Sequence, residues 1–209
     1  MTIGRLITIE GGEGAGKSTV IEAVRALLIE RGHEVVQTRE PGGTPAGEAI
    51  RRILLDPESS LLPDSELLLM FAARAQLVRE TIRPALARGA IVLSDRFSDA
   101  SFAYQGGGRG IDTGRIAELE RWVAGLKPDL TLLLDLGVDQ GLARARGRGG
   151  EPDRIEREDT GFFERVRAVY LARAAAEPER WRVIDASRSV EQVVAEVRAA
   201  LAAWLESLP

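Results

Sequence analysis

The feature that most constrains this chain is a glycine-rich stretch, IEGGEGAGKSTV, from Ile9 to Val20. Within it, Gly11 to Ser18 matches the pattern GxxxxGK[ST], which lies between an apolar run and a helical pattern. Glycine costs about 0.5–1 kcal/mol inside a helix or strand, so such a cluster indicates a close approach to the backbone. Backbone N–H groups at the start of a helix bind phosphates, which predicts a nucleoside triphosphate site. Its expected residues are Gly11, Gly12, Glu13, Gly14, Ala15, Gly16, Lys17, Ser18 and Thr19.

The hydrophobic pattern around this loop alternates short β-rich runs with longer amphipathic ones. Alternation of this kind predicts an α/β fold with a parallel five-stranded sheet covered by helices. Strands are expected at Arg5–Glu10, Glu34–Thr38, Ala90–Asp95, Leu130–Leu136 and Trp181–Asp185. Helices are expected at Lys17–Arg31, Thr44–Leu55, Asp64–Arg88, Thr113–Ala124, Asp139–Arg146, Gly161–Ala176 and Val190–Ser207, with Pro84 kinking or splitting the third.

Composition limits the possible partners and the setting. The 209 residues are enough for one sizeable core, which predicts a single domain over residues 1–209. A net charge of −4 gives no electrostatic reason to expect a nucleic acid or an anionic membrane as partner. The absence of cysteine excludes disulfides, and no window is apolar for long enough to span a membrane. A cytoplasmic protein without a signal peptide is therefore expected.

Two polar, glycine-rich segments, Gln105–Asp112 and Arg144–Arg154, interrupt the helical patterns. Loops of this composition often act as lids, so both are predicted to be loops and the second a lid over residues 144–154.

The dipeptide Asp95-Arg96 closes an apolar strand and provides a second phosphate-binding element. If this strand neighbours the one before the glycine-rich loop, Asp95 can hold Mg²⁺ through water while the Ser18 hydroxyl ligates it. Arg96 offers a planar fork for another phosphate group, which simple ATP hydrolysis does not need. The pair therefore favours phosphoryl transfer to a phosphorylated acceptor, with Lys17 and Arg96 as catalytic residues.

Several motifs together resemble the thymidylate kinase family, and they follow one another along nearly the whole chain. They are EGGEGAGKST, TREPGGT, MFAARAQ, DRFSDASFAYQGGGRGID, RARGRGG and DRIE. The resemblance implies a P-loop fold of the nucleoside monophosphate kinase type and transfer of the γ-phosphoryl of ATP to dTMP in dTTP biosynthesis. It also implies Mg²⁺ as cofactor, ATP and dTMP as ligands, and a homodimer.

The resemblance assigns the acceptor-phosphate site to Glu40, Pro41 and Arg51, together with Arg96. Arg74 resembles the arginine that reads a thymine carbonyl.

The aromatic that stacks on the base usually lies four residues before that arginine, and here this position is Met70. Phe71 lies three residues before Arg74, so either side chain can share its helix face. Both stay open, with Phe71 favoured because a flat ring stacks better on a pyrimidine.

The segment SDASFAYQGG resembles the part of the family that contacts base and sugar. Its expected contacts are Ser101 at the base edge, Tyr104 below the sugar and Gln105 as a further polar group. The Tyr104 ring would fill the volume of a ribose 2′-hydroxyl, which accounts for a preference for deoxyribose. Glu13 is expected to face the acceptor and to organise Arg96.

The charge on the migrating phosphoryl group must be met by an arginine, and some family members place that arginine inside the phosphate loop. Here the corresponding position is Gly14, so the bacterial arrangement with lid arginines is expected, supplied by Arg146, Arg148 and Arg154.

Two alternatives stay open from sequence. One is a P-loop kinase for another nucleoside monophosphate; the other is a nucleotide-dependent switch, against which stands the lack of an Asn-Lys-x-Asp motif.

Overall fold

The computed structural model describes residues 4–147, 149 and 151–208, which form one five-stranded sheet with helices on both faces. All neighbouring strands are parallel, and their order is β2-β3-β1-β4-β5. The strands are β1 (Arg5–Gly11), β2 (Val35–Arg39), β3 (Ile91–Asp95), β4 (Leu130–Asp135) and β5 (Trp181–Asp185). The predicted parallel sheet is confirmed, with strand ends within about one residue of those expected.

The helices follow the predicted order, with additional short elements. They are α1 (Lys17–Glu30), α2 (Pro45–Leu55), α3 (Pro63–Leu77), α4 (Arg83–Ala87), α5 (Ser98–Ser101), α6 (Thr113–Leu119), α7 (Val138–Arg146), α8 (Thr160–Ala176) and α9 (Val190–Glu206). Wider π-helical turns extend α3, α5 and α6 at Val78–Ile82, Phe102–Gly108 and Glu120–Ala124. In the described part of the chain, no helix has the length and apolar character needed to cross a membrane.

The core lies on both faces of the sheet, and β4 shows this best. Its residues Leu130, Leu132 and Leu134 pack with α1 and α9, whereas Leu133 packs with α8 on the other face. A strand that is buried on both faces needs an apolar run rather than alternation. The run TLLLDL is therefore core, as its pattern predicts.

The helix around Pro84 changes geometry where the sequence indicates. A π-helical turn, Val78–Ile82, separates α3 from α4, and Pro84 lies in the first turn of α4. Proline lacks a backbone N–H and its ring clashes with the preceding turn, and a wider turn accommodates both. The predicted interruption of the long helix is confirmed.

The predicted loop at Gln105–Asp112 is wrong over its first half, because residues up to Gly108 are helical and mostly buried. A Cβ on Gly107 would lie 2.6 Å from Val169 Cγ2, and a Cβ on Gly108 would lie 2.3 Å from Phe162 Cε2. These glycines let α8 pack directly against the helix. They serve close packing, which composition alone does not distinguish from loop flexibility.

Candidate active site

The glycine-rich loop joins β1 to α1 at the centre of the sheet, and its backbone requires glycine at several positions. Gly11, Gly14 and Gly16 have φ values of 144°, 69° and 90°, which side chains rarely adopt. Gly16 caps α1, so the free N–H groups of the first helical turn face the loop. This arrangement is an anion site built from backbone, as the motif predicts.

Lys17 begins α1 and is half-buried beneath the loop. Its Nζ donates to the carbonyl oxygens of Gly11 at 3.2 Å and Gly12 at 2.9 Å. Burial and the neighbouring Arg96 lower the pKa of Lys17 to about 8, against the opposing effect of Glu13 and other nearby carboxylates. The nearby carboxylates thus balance the positive charge of the ammonium group only in part, which favours binding of a phosphate.

Gly14 is enclosed by α7, and this contact decides where a catalytic arginine can lie. A Cβ on Gly14 would lie 2.1 Å from the carbonyl oxygen of Gly141, and a Cβ on Gly141 would lie 2.5 Å from the carbonyl oxygen of Glu13. The two backbones touch through a pair of glycines. A side chain at Gly14 does not fit this packing, so the loop itself cannot provide the arginine.

Arg96 lies between the ends of β1 and β3, where register pairs Ile9 with Asp95. It adopts φ 68°, a left-handed conformation that is uncommon for residues with a Cβ and that concentrates at functional sites. Its Nη2 donates to Glu13 Oε1 and Tyr104 Oη, both at 2.9 Å, and its Nη1 donates to the Gly11 carbonyl at 2.9 Å. The guanidinium group is therefore held directly against the phosphate loop.

A buried carboxylate that the sequence did not single out lies under this cluster. Glu10 precedes the loop on β1 and has no exposed surface. It accepts hydrogen bonds from the Phe97 backbone N–H at 2.8 Å and from Tyr170 Oη at 2.7 Å. Burial, reinforced by Asp99, raises the pKa of Glu10 to about 8, although Arg96 and the two donors oppose the shift.

One cavity of about 490 Å³ joins the phosphate loop to the ends of β2 and β3. Lys17, Ser18 and Asp95 line one part of it, and Glu40 and Arg51 line another. In a parallel α/β sheet, ligands bind at the carboxyl ends of the strands, as this cavity does. A donor phosphate and an acceptor phosphate can therefore share it.

The wall of the cavity contains a buried ion pair between Glu40 and Arg74. Arg74 Nη2 lies 2.6 Å from Glu40 Oε2, and the two side chains are 0% and 2% exposed. Arg74 also donates to Ser101 Oγ at 3.1 Å, and its guanidinium lies 4.4 Å from the Phe71 ring centre. A charge this deep in a protein needs such a partner.

Known proteins match this chain over nearly its full length. A family model described as Thymidylate kinase matches residues 9–197. The thymidylate kinase of Chromohalobacter salexigens is 60% identical over 210 positions, covering 99% of both chains. That of Methylococcus capsulatus is 57% identical, covering 100% of this chain and 98% of its own. The chain belongs to the thymidylate kinase family.

A solved structure supports the same assignment in three dimensions. The crystal structure of thymidylate kinase from Ehrlichia chaffeensis has a TM-score of 0.77 and 33% identity, covering 95% of this chain and 98% of that one. Membership in the thymidylate kinase family confirms the predicted fold and the predicted enzyme class, an ATP-dependent nucleoside monophosphate kinase. It also confirms the predicted reaction, phosphorylation of dTMP.

The stacking residue expected from the thymidylate kinase resemblance needs a correction. Phe71 is 2% exposed and packs with Leu67, Phe102 and Ile116, away from the cavity. Met70 is half-buried and lines the cavity. The preference for Phe71 as the stacking group is therefore wrong, because the helix turns its ring towards the core beneath Arg74.

Arg74 and Ser101, expected at the base, lie behind the cavity wall and not among the residues that line it. Each has no exposed surface, and they are hydrogen-bonded to each other. Tyr104 and Gln105 do line the cavity. Tyr104 Oη donates to Glu13 Oε1 at 2.9 Å, a contact between this tyrosine and the phosphate loop that the sequence did not predict.

The Glu40-Pro41 turn closes the acceptor end of the cavity. Its peptide bond is cis, and Pro41 is buried. Arg51 Nη1 donates to the Pro41 carbonyl at 2.9 Å, which brings this arginine from α2 to the cavity.

The expected lid arginines have different positions. Arg146 ends α7 and is exposed, and Arg148 lies outside the described residues. Arg154 lines the cavity, where its Nη2 lies 2.8 Å from the buried Glu66 and its Nε donates to the Leu54 carbonyl at 2.8 Å.

Sequence reasoning missed Glu66 and Asp153, which also line the cavity. Glu66 is 1% exposed and accepts from Gln105 Nε2 at 2.8 Å. A glutamate one turn before Met70, directly before the apolar run LLLMF, is the signal that could have revealed it.

Proposed function

We propose that this chain carries out the family's reaction, transfer of the γ-phosphoryl of ATP to dTMP, with both phosphates in the single cavity described above. The observation that supports these roles is the placement of the phosphate loop and Arg96 on the two neighbouring central strands. A site for ATP hydrolysis alone would not need a second guanidinium-based phosphate site beside the loop.

The phosphate chain of ATP binds along the backbone N–H groups of the loop and the first turn of α1. Lys17 then exchanges its contacts with the carbonyls of Gly11 and Gly12 for contacts with the β- and γ-phosphates. Because the pKa of Lys17 is lowered, a dianionic phosphate stabilises the charged form of this lysine more than a neutral ligand does.

Mg²⁺ fits the residues at this point of the site. Ser18 is exposed at the start of α1, and Asp95 Oδ1 is buried without a hydrogen-bond partner in the described part of the chain. Mg²⁺ needs only one or two protein oxygens when phosphates and waters complete its shell, so a larger acidic cluster is not required. When bound, the ion neutralises charge on the β- and γ-phosphates.

Arg96, Arg51 and the Glu40-Pro41 turn hold the phosphate of dTMP. An oxygen of this phosphate is already ionised at neutral pH, so it attacks the γ-phosphorus without a general base. The bond from the γ-phosphorus to the bridging oxygen breaks, and ADP leaves with that electron pair. The protein therefore contributes positioning and positive charge.

Tyr104 and Met70 enclose the nucleoside. The Tyr104 ring is fixed because its hydroxyl group bonds both Glu13 and Arg96, and the Arg96 guanidinium lies 4.8 Å from the ring centre. The ring also packs edge-to-face against Phe162 and Tyr170, contacts that do not need the hydroxyl group, so its volume excludes a 2′-hydroxyl group sterically. Tyr104→Phe is then expected to keep the deoxyribose preference, and free use of the ribose analogue would contradict the steric account.

The chain functions as one domain over residues 1–209, with residues 144–154 as the lid and Arg146, Arg148 and Arg154 as sources of charge for the migrating group. Both ends of the segment are hydrogen-bonded to other elements of the fold. Arg144 Nη1 donates to the Ala186 carbonyl at 2.9 Å, and the Arg154 N–H donates to the Leu55 carbonyl at 3.1 Å. A segment that is held at both ends and is rich in glycine between them can close over bound ATP.

The cytoplasm is the proposed compartment.

The proposed assembly is a homodimer formed through the outer face of α3. Leu68 on α3 is 58% exposed, and Trp122, in the turn packed beside α3, is 77% exposed. Large exposed apolar side chains on two elements that contact each other favour burial by a second copy. Trp122→Glu is expected to shift the protein to monomer in sedimentation analysis, and an unchanged dimer would reject this face.

The acceptor specificity tests these roles together. dTMP should support turnover far better than dUMP, dCMP or dGMP, measured as ADP formed under saturating ATP. Equal rates with several acceptors would reject the base-site assignments and leave the phosphate roles standing.

A further inference from the structure

The buried Glu10 at the end of β1 is not needed to contact a substrate. It has no exposed surface, and it lies one residue before the phosphate loop. Both of its carboxylate oxygens are engaged, one by the Phe97 N–H at 2.8 Å and one by Tyr170 Oη at 2.7 Å. A buried carboxyl group whose two oxygens both hold specific partners in the centre of a sheet calls for a specific reason.

Tyr170 connects this carboxylate to Arg96. Arg96 Nη1 donates to Tyr170 Oη at 3.1 Å, while the same hydroxyl group donates to Glu10. The Tyr170 ring is 1% exposed and has edge-to-face contacts with Tyr104 at 6.4 Å and Trp181 at 6.5 Å. The hydroxyl group is therefore fixed both by its ring and by its acceptor.

Arg96 depends on such support because its own backbone does not favour the position. Its φ of 68° is a strained conformation, and the other contacts of its guanidinium are to the Gly11 carbonyl, Glu13 and Tyr104. The first two belong to the phosphate loop, and in the proposed function Tyr104 lies against the substrate. Tyr170 is the contact that comes from α8, where its side chain is buried in the core.

We propose that Glu10 and Tyr170 are positioning residues for the acceptor phosphate: Glu10 fixes the Tyr170 hydroxyl, and that hydroxyl sets the orientation of the Arg96 guanidinium. The inference rests on the proposed role of Arg96 in binding the phosphate of dTMP. Bidentate recognition of phosphate depends on the angle of the guanidinium plane, so a small rotation weakens binding without removing any charge.

Tyr170→Phe is the first test, because it removes the hydroxyl and keeps the ring. The expected result is a rise of about five- to tenfold in KM for dTMP, the scale of one ordinary hydrogen bond, because the Arg96 charge stays and only its orientation loosens, with KM for ATP within about twofold of wild type. Val166→Ala is the matched control. Val166 lies one turn earlier on α8, is 1% exposed and has no polar group. It should lower the melting temperature and leave KM for dTMP unchanged.

Glu10→Gln is the second test, because it keeps the shape of the side chain. The single carbonyl oxygen of the glutamine cannot accept hydrogen bonds from both Phe97 and Tyr170. Its NH₂ group therefore faces the Tyr170 hydroxyl group, which already accepts a hydrogen bond from Arg96. KM for dTMP should rise again, and the double variant should be no worse than the poorer single variant, since the two residues act as one unit. This variant also provides the answer if Tyr170→Phe fails to fold.

Three results would overturn the proposal. They are an unchanged KM for dTMP in a folded Tyr170→Phe or Glu10→Gln protein, equal rises in KM for dTMP in Val166→Ala, and additive effects in the double variant. Failure of the proposed function itself is seen separately, because wild-type protein would then show no dTMP-dependent turnover.

Discussion

Replacing Glu40 by glutamine isolates the buried ion pair that forms the wall of the acceptor site. Glu40 and Arg74 are 2% and 0% exposed and share three N–O contacts of 2.6 to 3.1 Å. Glutamine keeps the volume and one acceptor oxygen but leaves the Arg74 charge without a counter-charge. Breaking a buried pair from one side costs about 3–5 kcal/mol.

For a chain of 209 residues, each kcal/mol corresponds to about 2–4 °C in melting temperature. Glu40→Gln is therefore expected to lower the midpoint by roughly 6 to 20 °C in calorimetry. Glu34→Gln is the matched control, because Glu34 and Arg88 also form an ion pair, at 2.8 Å, but are 57% and 49% exposed. An exposed pair contributes about 1 kcal/mol or less. Similar small shifts in both variants would refute the claim that burial makes the Glu40–Arg74 pair important.

Further predictions follow from the loop and its neighbours. Above pH 8, kcat/KM for ATP should fall while kcat is maintained. The lowered pKa of about 8 leaves Lys17 increasingly neutral in the free enzyme, whereas a bound phosphate restores its charge. A flat profile of kcat/KM up to pH 9.5 would contradict this. Gly14→Ala should lower the melting temperature more than Gly12→Ala, because a Cβ at Gly14 lies 2.1 Å from a carbonyl oxygen and one at Gly12 has nothing within 4 Å; equal melting curves would reject the tight contact with α7. Arg96→Ala should raise KM for dTMP about 10- to 100-fold in steady-state assays with a smaller effect on KM for ATP, and an unchanged dTMP titration would refute the clamp.

The parts of the site that sequence predicts well are those fixed by local pattern and sheet topology. The phosphate loop is a contiguous motif, and its position after β1 follows from periodicity. Asp95 could be placed beside it on the condition that its strand neighbours β1, because neighbouring parallel strands end at the same edge of the sheet, and β3 does pair with β1. Neither inference needs knowledge of side-chain packing.

The choice between Met70 and Phe71 fails for a physical reason. Residues three and four positions before Arg74 both lie near its helix face, so spacing does not reveal which one the helix turns towards the cavity. Packing of Phe71 against Phe102 and Ile116 decides it.

Contacts between residues far apart in the chain could not be predicted from the sequence either. Glu10 and Tyr170 are 160 residues apart, and their hydrogen bond forms because α8 packs against the sheet at β4 and β5. Similarly, Gly107 and Gly108 read as loop residues until α8 is placed against them. Tertiary packing, rather than local preference, determines both.

Release of ADP from Mg-ATP, measured with and without dTMP, tests the central claim most directly. Lys17→Ala protein provides the blank, because it lacks the ammonium group beneath the phosphate loop. Wild-type protein should release ADP when dTMP is added and form dTDP in equal amount, with little release without the acceptor. ADP release that does not respond to dTMP would contradict the account.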